Sequence, residues 1–308
     1  MKFSVTYPLV EHPSNPEFLE KENLLRFAHA AEAAGYDAIG FTDHPAPSQK
    51  WLDGGGHDAL DPFAALSFCA AVTERIRLMP HILVLPYRNP FLLAKAVATV
   101  DVLSEGRFIL GAAAGYLRSE YAALGVDFDE RNELFDETLE VLRGIWSTDG
   151  FRYQGRHFRA QGQTANPKPR QKPHPPIWVG GNSRLARRRV ARSAQGWMPF
   201  HAPARLARTT RTPVLESRED LKRLLGELWM FLDEAGRPRS EIDIHYQNDR
   251  GGTPGRSGFE PDLYREGLEG LAELGVTWCG AGVPGDGIEP ALEALARFGE
   301  TVIAPLRA

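Results

Sequence analysis

Thr42–Asp43–His44 is the segment of this chain with the clearest capacity for chemistry. Histidine is the side chain whose unperturbed pKa lies near physiological pH, so His44 can donate or accept a proton, or polarise a carbonyl. Asp43 beside it offers a carboxylate that could orient the ring. The competing reading is a helix cap followed by a loop histidine. A second segment, Gly180–Gly181–Asn182–Ser183, follows the β-prone Ile177–Trp178–Val179 and leads into a helix. Glycines there let a ligand approach the backbone, and the free N–H groups of the helix start attract an anion such as phosphate. Arg184 could add charge; the plainer reading is a tight, capped turn. A third, Gly111–Ala112–Ala113–Ala114–Gly115, is nearly free of side chains and leaves room for a flat ligand, or for close helix–sheet packing. Tyr116 follows it.

Other chemistries lack a starting point. Asp43, His44, His81, His201 and His245 could converge on a divalent ion, but no H-x-H or H-E-x-x-H spacing occurs, so no metal site is expected. G-x-S-x-G, the P-loop and G-x-G-x-x-G are all missing. The two cysteines, Cys69 and Cys279, are far apart among apolar neighbours, which argues against a disulfide framework.

These segments need a scaffold, and the sequence repeats one. A helical stretch ends at glycine and a β-prone run follows at once, at Gly35, Gly106, Gly196 and Gly275. Glycine suits such a junction because it takes the left-handed conformation that closes a helix. Helix followed by strand, repeated, implies an α/β fold with parallel strands. Strands are expected near 3–7, 37–41, 76–84, 107–112, 176–180, 195–199, 241–246 and 276–281. Helices are expected near 22–34, 61–74, 90–104, 131–147, 183–193, 217–235, 260–274 and 288–298. Eight such units predict a (β/α)₈ TIM barrel over residues 1–308 as a single domain, with an open doubly wound sheet as the alternative. Insertion loops are expected after strands 2, 4, 6 and 7, the fourth containing a hairpin at 151–159. In a barrel the loops after strands build the active site, and His44, Tyr116 and the glycine turns all fall there.

Composition sets the outer limits. A net charge of −4, mixed along the chain, offers no footprint for nucleic acid. The one basic cluster, Arg184 to Arg192, falls in an expected helix. No run reaches the roughly 20 apolar residues of a membrane span, and the start is strand-like rather than a leader, so a cytoplasmic protein is expected.

Several segments together resemble the bacterial luciferase-like superfamily, particularly its F420-dependent oxidoreductase branch. They are Ala30–His44 (AAEAAGYDAIGFTDH), Ile82–Ala94 (ILVLPYRNPFLLA), Thr99–Gly115 (TVDVLSEGRFILGAAAG), Arg131–Trp146, Gln171–Ser183 and Gly275–Gly285. The resemblance implies a noncovalent cofactor whose ring stacks at the third and fourth strand ends, over a non-proline cis peptide matching His81–Ile82. It implies a phosphate on Ala114–Gly115 and Gly180–Gly181–Asn182, and a histidine near the reacting ring at His44. The expected cofactor contacts are Asp43, His81, Ile82, Ala113, Ala114, Gly115, Val179, Gly180, Gly181 and Asn182. His44 and Tyr116 are the catalytic candidates. Coenzyme F420 is the expected cofactor, FMN the alternative, with a small organic molecule as substrate. A flavin-binding barrel without turnover is the non-enzymatic reading. Tyr116 stands where several F420-dependent relatives carry a glutamate that donates a proton, and Ala114 where flavin-dependent relatives often place Arg or Thr. Glu11, near the first strand end, is a loosely placed substitute carboxylate. Relatives are often dimers, which leaves a homodimer open here.

Overall fold

The computed structural model describes residues 1–307. Its sheet strands, in chain order, are β1 (Lys2–Thr6), β2 (Ala38–Phe41), β3 (Arg77–Pro80), β4 (Leu83–Val84), β5 (Leu110–Ala113), β8 (Ile177–Gly180), β9 (Gly196–Met198), β10 (Asp243–Gln247) and β11 (Trp278–Gly280). A separate antiparallel pair, β6 (Phe151–Gln154) and β7 (Arg159–Gln163), stands outside. The nine strands pair in parallel in the order β3-β2-β1-β11-β10-β9-β8-β5-β4, and a parallel bridge links Leu78 of β3 to Phe108, just ahead of β5. The result is a nearly closed (β/α)₈ barrel, the fold expected from the helix–glycine–strand repeat.

The one strand expected as continuous, 76–84, is split into β3 and β4. Between them the His81–Ile82 peptide is cis. β3 pairs with β2, whereas β4 pairs with β5 through Leu83↔Ala112 and Val84↔Ala113. The split therefore turns the backbone at the level where the cavity begins.

Three of the four junction glycines take positive φ: Gly35 (88°), Gly106 (86°) and Gly275 (97°). Gly196 does not, and its reason is packing. A Cβ there would stand 2.4 Å from the Trp178 indole, so the strand pair β8–β9 closes only on glycine.

The barrel interior is plugged low down by Ala38, Met79, Ile109, Trp178, Met198 and Trp278, all buried. Trp178 and Trp278 meet edge to face at 5.0 Å, an arrangement that suits the ring quadrupoles. The larger core lies between strands and helices. The basic cluster divides: Arg187 and Arg189 are buried and pair with Glu227 and Asp136, whereas exposed Arg192 lies near Glu140 and exposed Arg184 and Arg188 lie over Phe231. The hairpin follows the helix Arg131–Ser147 rather than a strand. Its turn, at 155–158, docks on that helix through Glu137, which accepts from the His157 and Phe158 N–H groups. It lies beside the barrel and contributes nothing to the cavity lining. No helix among the described residues is long and apolar enough to cross a membrane.

Candidate active site

A cavity of about 790 Å³ opens above the plug, at the C-terminal ends of the strands. Its floor is polar. Thr6 Oγ1 is 2.9 Å from His81 Nδ1, and Ser4 Oγ is 2.7 Å from His245 Nε2. The two imidazoles lie 5.1 Å apart. Burial pushes His81 down to about 4 and His245 well below the ordinary histidine range, the neighbouring His81 adding to the second effect. Both rings are therefore neutral hydrogen-bonding groups at physiological pH.

One wall is made of backbone and methyl groups, from Ala113, Ala114 and Gly115 at the end of β5, with Ile82 and Val84 beside them. The opposite loop supplies Val179, Gly180 and Gly181. Close packing explains two of these glycines. A Cβ on Gly111 would sit 2.3 Å from the Pro80 carbonyl oxygen, and one on Gly180 would sit 2.3 Å from Ile82 Cδ1. Gly181 differs: its φ is +101° and a Cβ there would meet nothing within 4 Å. It borders empty space that a side chain would fill, as does Gly282. Next to Gly181, Ser183 caps the helix Arg184–Ser193 by accepting from the Ala186 N–H. A flat ring against the β5 wall and an anion near this turn both fit.

Asn182, the next residue of that turn, has its polar groups bonded within the protein. It is fully buried, its amide donates to the Phe200 carbonyl at 2.9 Å and accepts from the Phe200 N–H at 3.0 Å. Its own N–H donates to Thr212 Oγ1. These bonds pin the 199–213 segment to the turn and occupy the Asn182 side chain, and Asn182 is absent from the cavity lining.

His44 lines the cavity at the end of β2. Its ring stacks at 4.5 Å on Trp51, meets His57 at 5.0 Å and faces Tyr116 at 6.4 Å. Trp51 and His57 come from the long loop after β2. Burial lowers the His57 pKa and raises that of Tyr116, so both are uncharged near neutrality. The expected orienting role of Asp43 is corrected. Asp43 lines the cavity but both its oxygens are held by Arg88 (2.6 and 2.8 Å), and it accepts from the Val84 N–H at 2.8 Å. It clamps β2 to the segment after the cis bond. The carboxylate that reaches His44 is Glu120, whose Oε2 lies 3.1 Å from Nδ1. Glu11 is exposed and, like His201, is absent from the lining.

Sequence reading missed Glu120. The available signal was its place one helical turn beyond Tyr116, an acidic residue between Leu117 and Tyr121, both of which are buried. It also missed the mouth. There Arg118, Arg131 and Arg211 lie 4.3, 4.0 and 5.1 Å from the Phe128 ring. Arg118 is bonded to Asp129, but neither Arg131 nor Arg211 makes an ion pair among the described residues, and both line the cavity. No group of three or more His, Cys, Asp or Glu among the described residues is placed to hold a metal ion.

The family model of the luciferase-like monooxygenases matches residues 1–246. This chain belongs to the luciferase-like monooxygenase family. Within it, the chain is 32% identical over 171 residues to an FMNH(2)-dependent dimethylsulfone monooxygenase of Pseudomonas putida, a match spanning 54% of this chain and 45% of that protein. It is 28% identical over 244 residues to an F420-dependent glucose-6-phosphate dehydrogenase of Microbacterium testaceum, covering 78% and 67% of the two chains. In fold it is similar to monooxygenase RslO1 from Streptomyces bottropensis, with a TM-score of 0.82, 23% identity and all of both chains covered. Luciferase-like relatives of this chain thus include both F420-dependent and FMNH(2)-dependent enzymes.

Proposed function

We propose that this luciferase-like barrel is an F420-dependent oxidoreductase acting on a small, uncharged organic molecule. The observation that carries this reading is the pair of guanidinium groups at the cavity mouth, Arg131 and Arg211, which pack on Phe128 and make no ion pair among the described residues. FMN ends in one phosphate, whereas F420 continues into a phosphodiester and a glutamyl tail with further negative charge, which suits two cations without a carboxylate partner. When bound, F420 would supply or accept a hydride at its deazaflavin ring.

The chain's own groups have separate tasks in this scheme. Ala113, Ala114 and Gly115 give the ring a flat wall, and Gly181 with the capped start of the helix Arg184–Ser193 receives the phosphate. Neutral His81 and His245 below donate and accept hydrogen bonds without placing charge under the ring. His44 holds the proton exchanged with the substrate. Trp51, His57 and Tyr116 shield that proton from water with uncharged surfaces, which is why an uncharged substrate is proposed.

Tyr116 favours the second reading, an FMN-dependent monooxygenase, because several F420-dependent relatives carry a glutamate at that position. The two are separated by following recovery of the oxidised deazaflavin's visible absorbance with a panel of carbonyl and unsaturated ring compounds. Recovery that needs the organic acceptor and proceeds without dioxygen is expected. Oxygenated product formed only with reduced FMN and dioxygen would replace the first reading by the second.

A further inference from the structure

Glu120 has the surroundings of a working carboxylate rather than of a packing residue. Its side chain is wholly buried, on the short helix Arg118–Ala123 that follows β5. It accepts from the Ala46 N–H at 3.2 Å and from the Tyr87 hydroxyl at 3.0 Å, and it meets His44 Nδ1 at 3.1 Å. Burying a carboxylate is costly unless it is paired and hydrogen-bonded. Here the pairing partner is His44, the histidine that lines the cavity at the end of β2.

We infer that Glu120 is the positioning residue of the proton-transfer step: it fixes His44 as the Nδ1–H tautomer and leaves Nε2 as the atom that exchanges a proton with substrate. An ionised carboxylate can only accept, so the hydrogen between Glu120 and His44 must sit on Nδ1. The backbone N–H of Ala46 is an obligatory donor and Tyr87 donates as well, which leaves Glu120 no other role. When the imidazolium gives its Nε2 proton to a substrate heteroatom, the ring becomes neutral with the remaining hydrogen on Nδ1, still donated to Glu120. In the reverse direction the buried carboxylate stabilises the imidazolium that forms.

Every other ionisable group around His44 is already accounted for. Asp43, its neighbour in the chain, is neutralised by Arg88, which also reaches Asp61 at 3.6 Å. Burial lowers His57 and raises Tyr116, and burial together with Glu120 raises Tyr87, so these three carry no charge near neutrality. Glu120 is thus the one unneutralised carboxylate against the ring among the described residues.

The inference rests on His44 as the proton-transfer group of the proposed function, and not on which cofactor is bound. It is tested first without cofactor, by NMR of nitrogen-labelled histidine across pH. Wild type is expected to show the Nδ1–H tautomer for neutral His44, and Glu120→Gln to lose that single-tautomer preference. In the loaded enzyme, Glu120→Gln should slow turnover about a hundredfold while cofactor affinity changes by less than about threefold. Tyr87→Phe, which keeps the carboxylate, should retain the Nδ1–H tautomer and lose far less turnover than Glu120→Gln. An Nε2–H tautomer in wild type, or a His44 tautomer unchanged by Glu120→Gln, would overturn the inference whatever the cofactor proves to be.

Discussion

His44 Nδ1 and Glu120 Oε2 stand 3.1 Å apart, joining the end of β2 to the helix that follows β5. The contact holds the imidazole against Trp51 with one edge toward the cavity. His44→Ala is therefore expected to lower turnover by about two orders of magnitude while leaving cofactor affinity nearly unchanged. Steady-state rates beside a fluorescence binding titration read both; equal loss of binding and turnover would make His44 a cofactor contact instead.

Tyr116→Phe tests the rival proton donor. Burial raises the Tyr116 pKa, which makes the phenol a poor acid near neutrality. Removing its hydroxyl should change kcat by less than about fivefold, well under the loss expected of a general acid. A loss as large as that of His44→Ala would transfer the donor role to Tyr116.

Two glycines, Gly111 in β5 and Gly181 in the cavity lining, should respond differently to alanine. At Gly111 the added methyl meets the Pro80 carbonyl oxygen at 2.3 Å, so Gly111→Ala should lose about 1–3 kcal/mol of stability in urea unfolding. At Gly181 the space is open but φ is +101°, so Gly181→Ala should cost about 1–2 kcal/mol through the backbone. Because that methyl enters the cradle, cofactor affinity should fall in Gly181→Ala by more than its stability loss explains. Unchanged affinity would place the anion elsewhere.

Much of the scaffold was legible because it rests on local chemistry. Gly35, Gly106 and Gly275 mark helix ends through their conformation, and the strands they introduce fall close to the expected ranges. Gly196 carried the same letter for another reason, contact with Trp178, which only the packed sheet reveals. The cradle was partly legible: Gly180 and Gly181 announce a turn, but Asn182 is spent on Phe200 and Thr212, residues distant in sequence. For the same reason Asp43 next to His44 looked like its partner. Chain adjacency put it there, whereas the barrel delivers Glu120 from 76 residues away.

Acid should weaken the fold through the barrel floor. Burial depresses His81 to about 4 and holds His245 well below its ordinary value. Between roughly pH 6.5 and 4 the unfolded chain then binds more protons than the folded one, so stability is complete above this window and is lost as pH falls through it. Urea unfolding across that range should show the decline, and His245→Gln should flatten it. A slope unaffected by His245→Gln would assign the loss to other groups.

Equilibrium titration of the protein with F420 and, separately, with FMN tests the central claim most directly. F420 is expected to bind the tighter of the two, with Arg131→Ala weakening F420 about tenfold or more and reducing its salt dependence. Tight binding of FMN with no response to F420 would contradict the account.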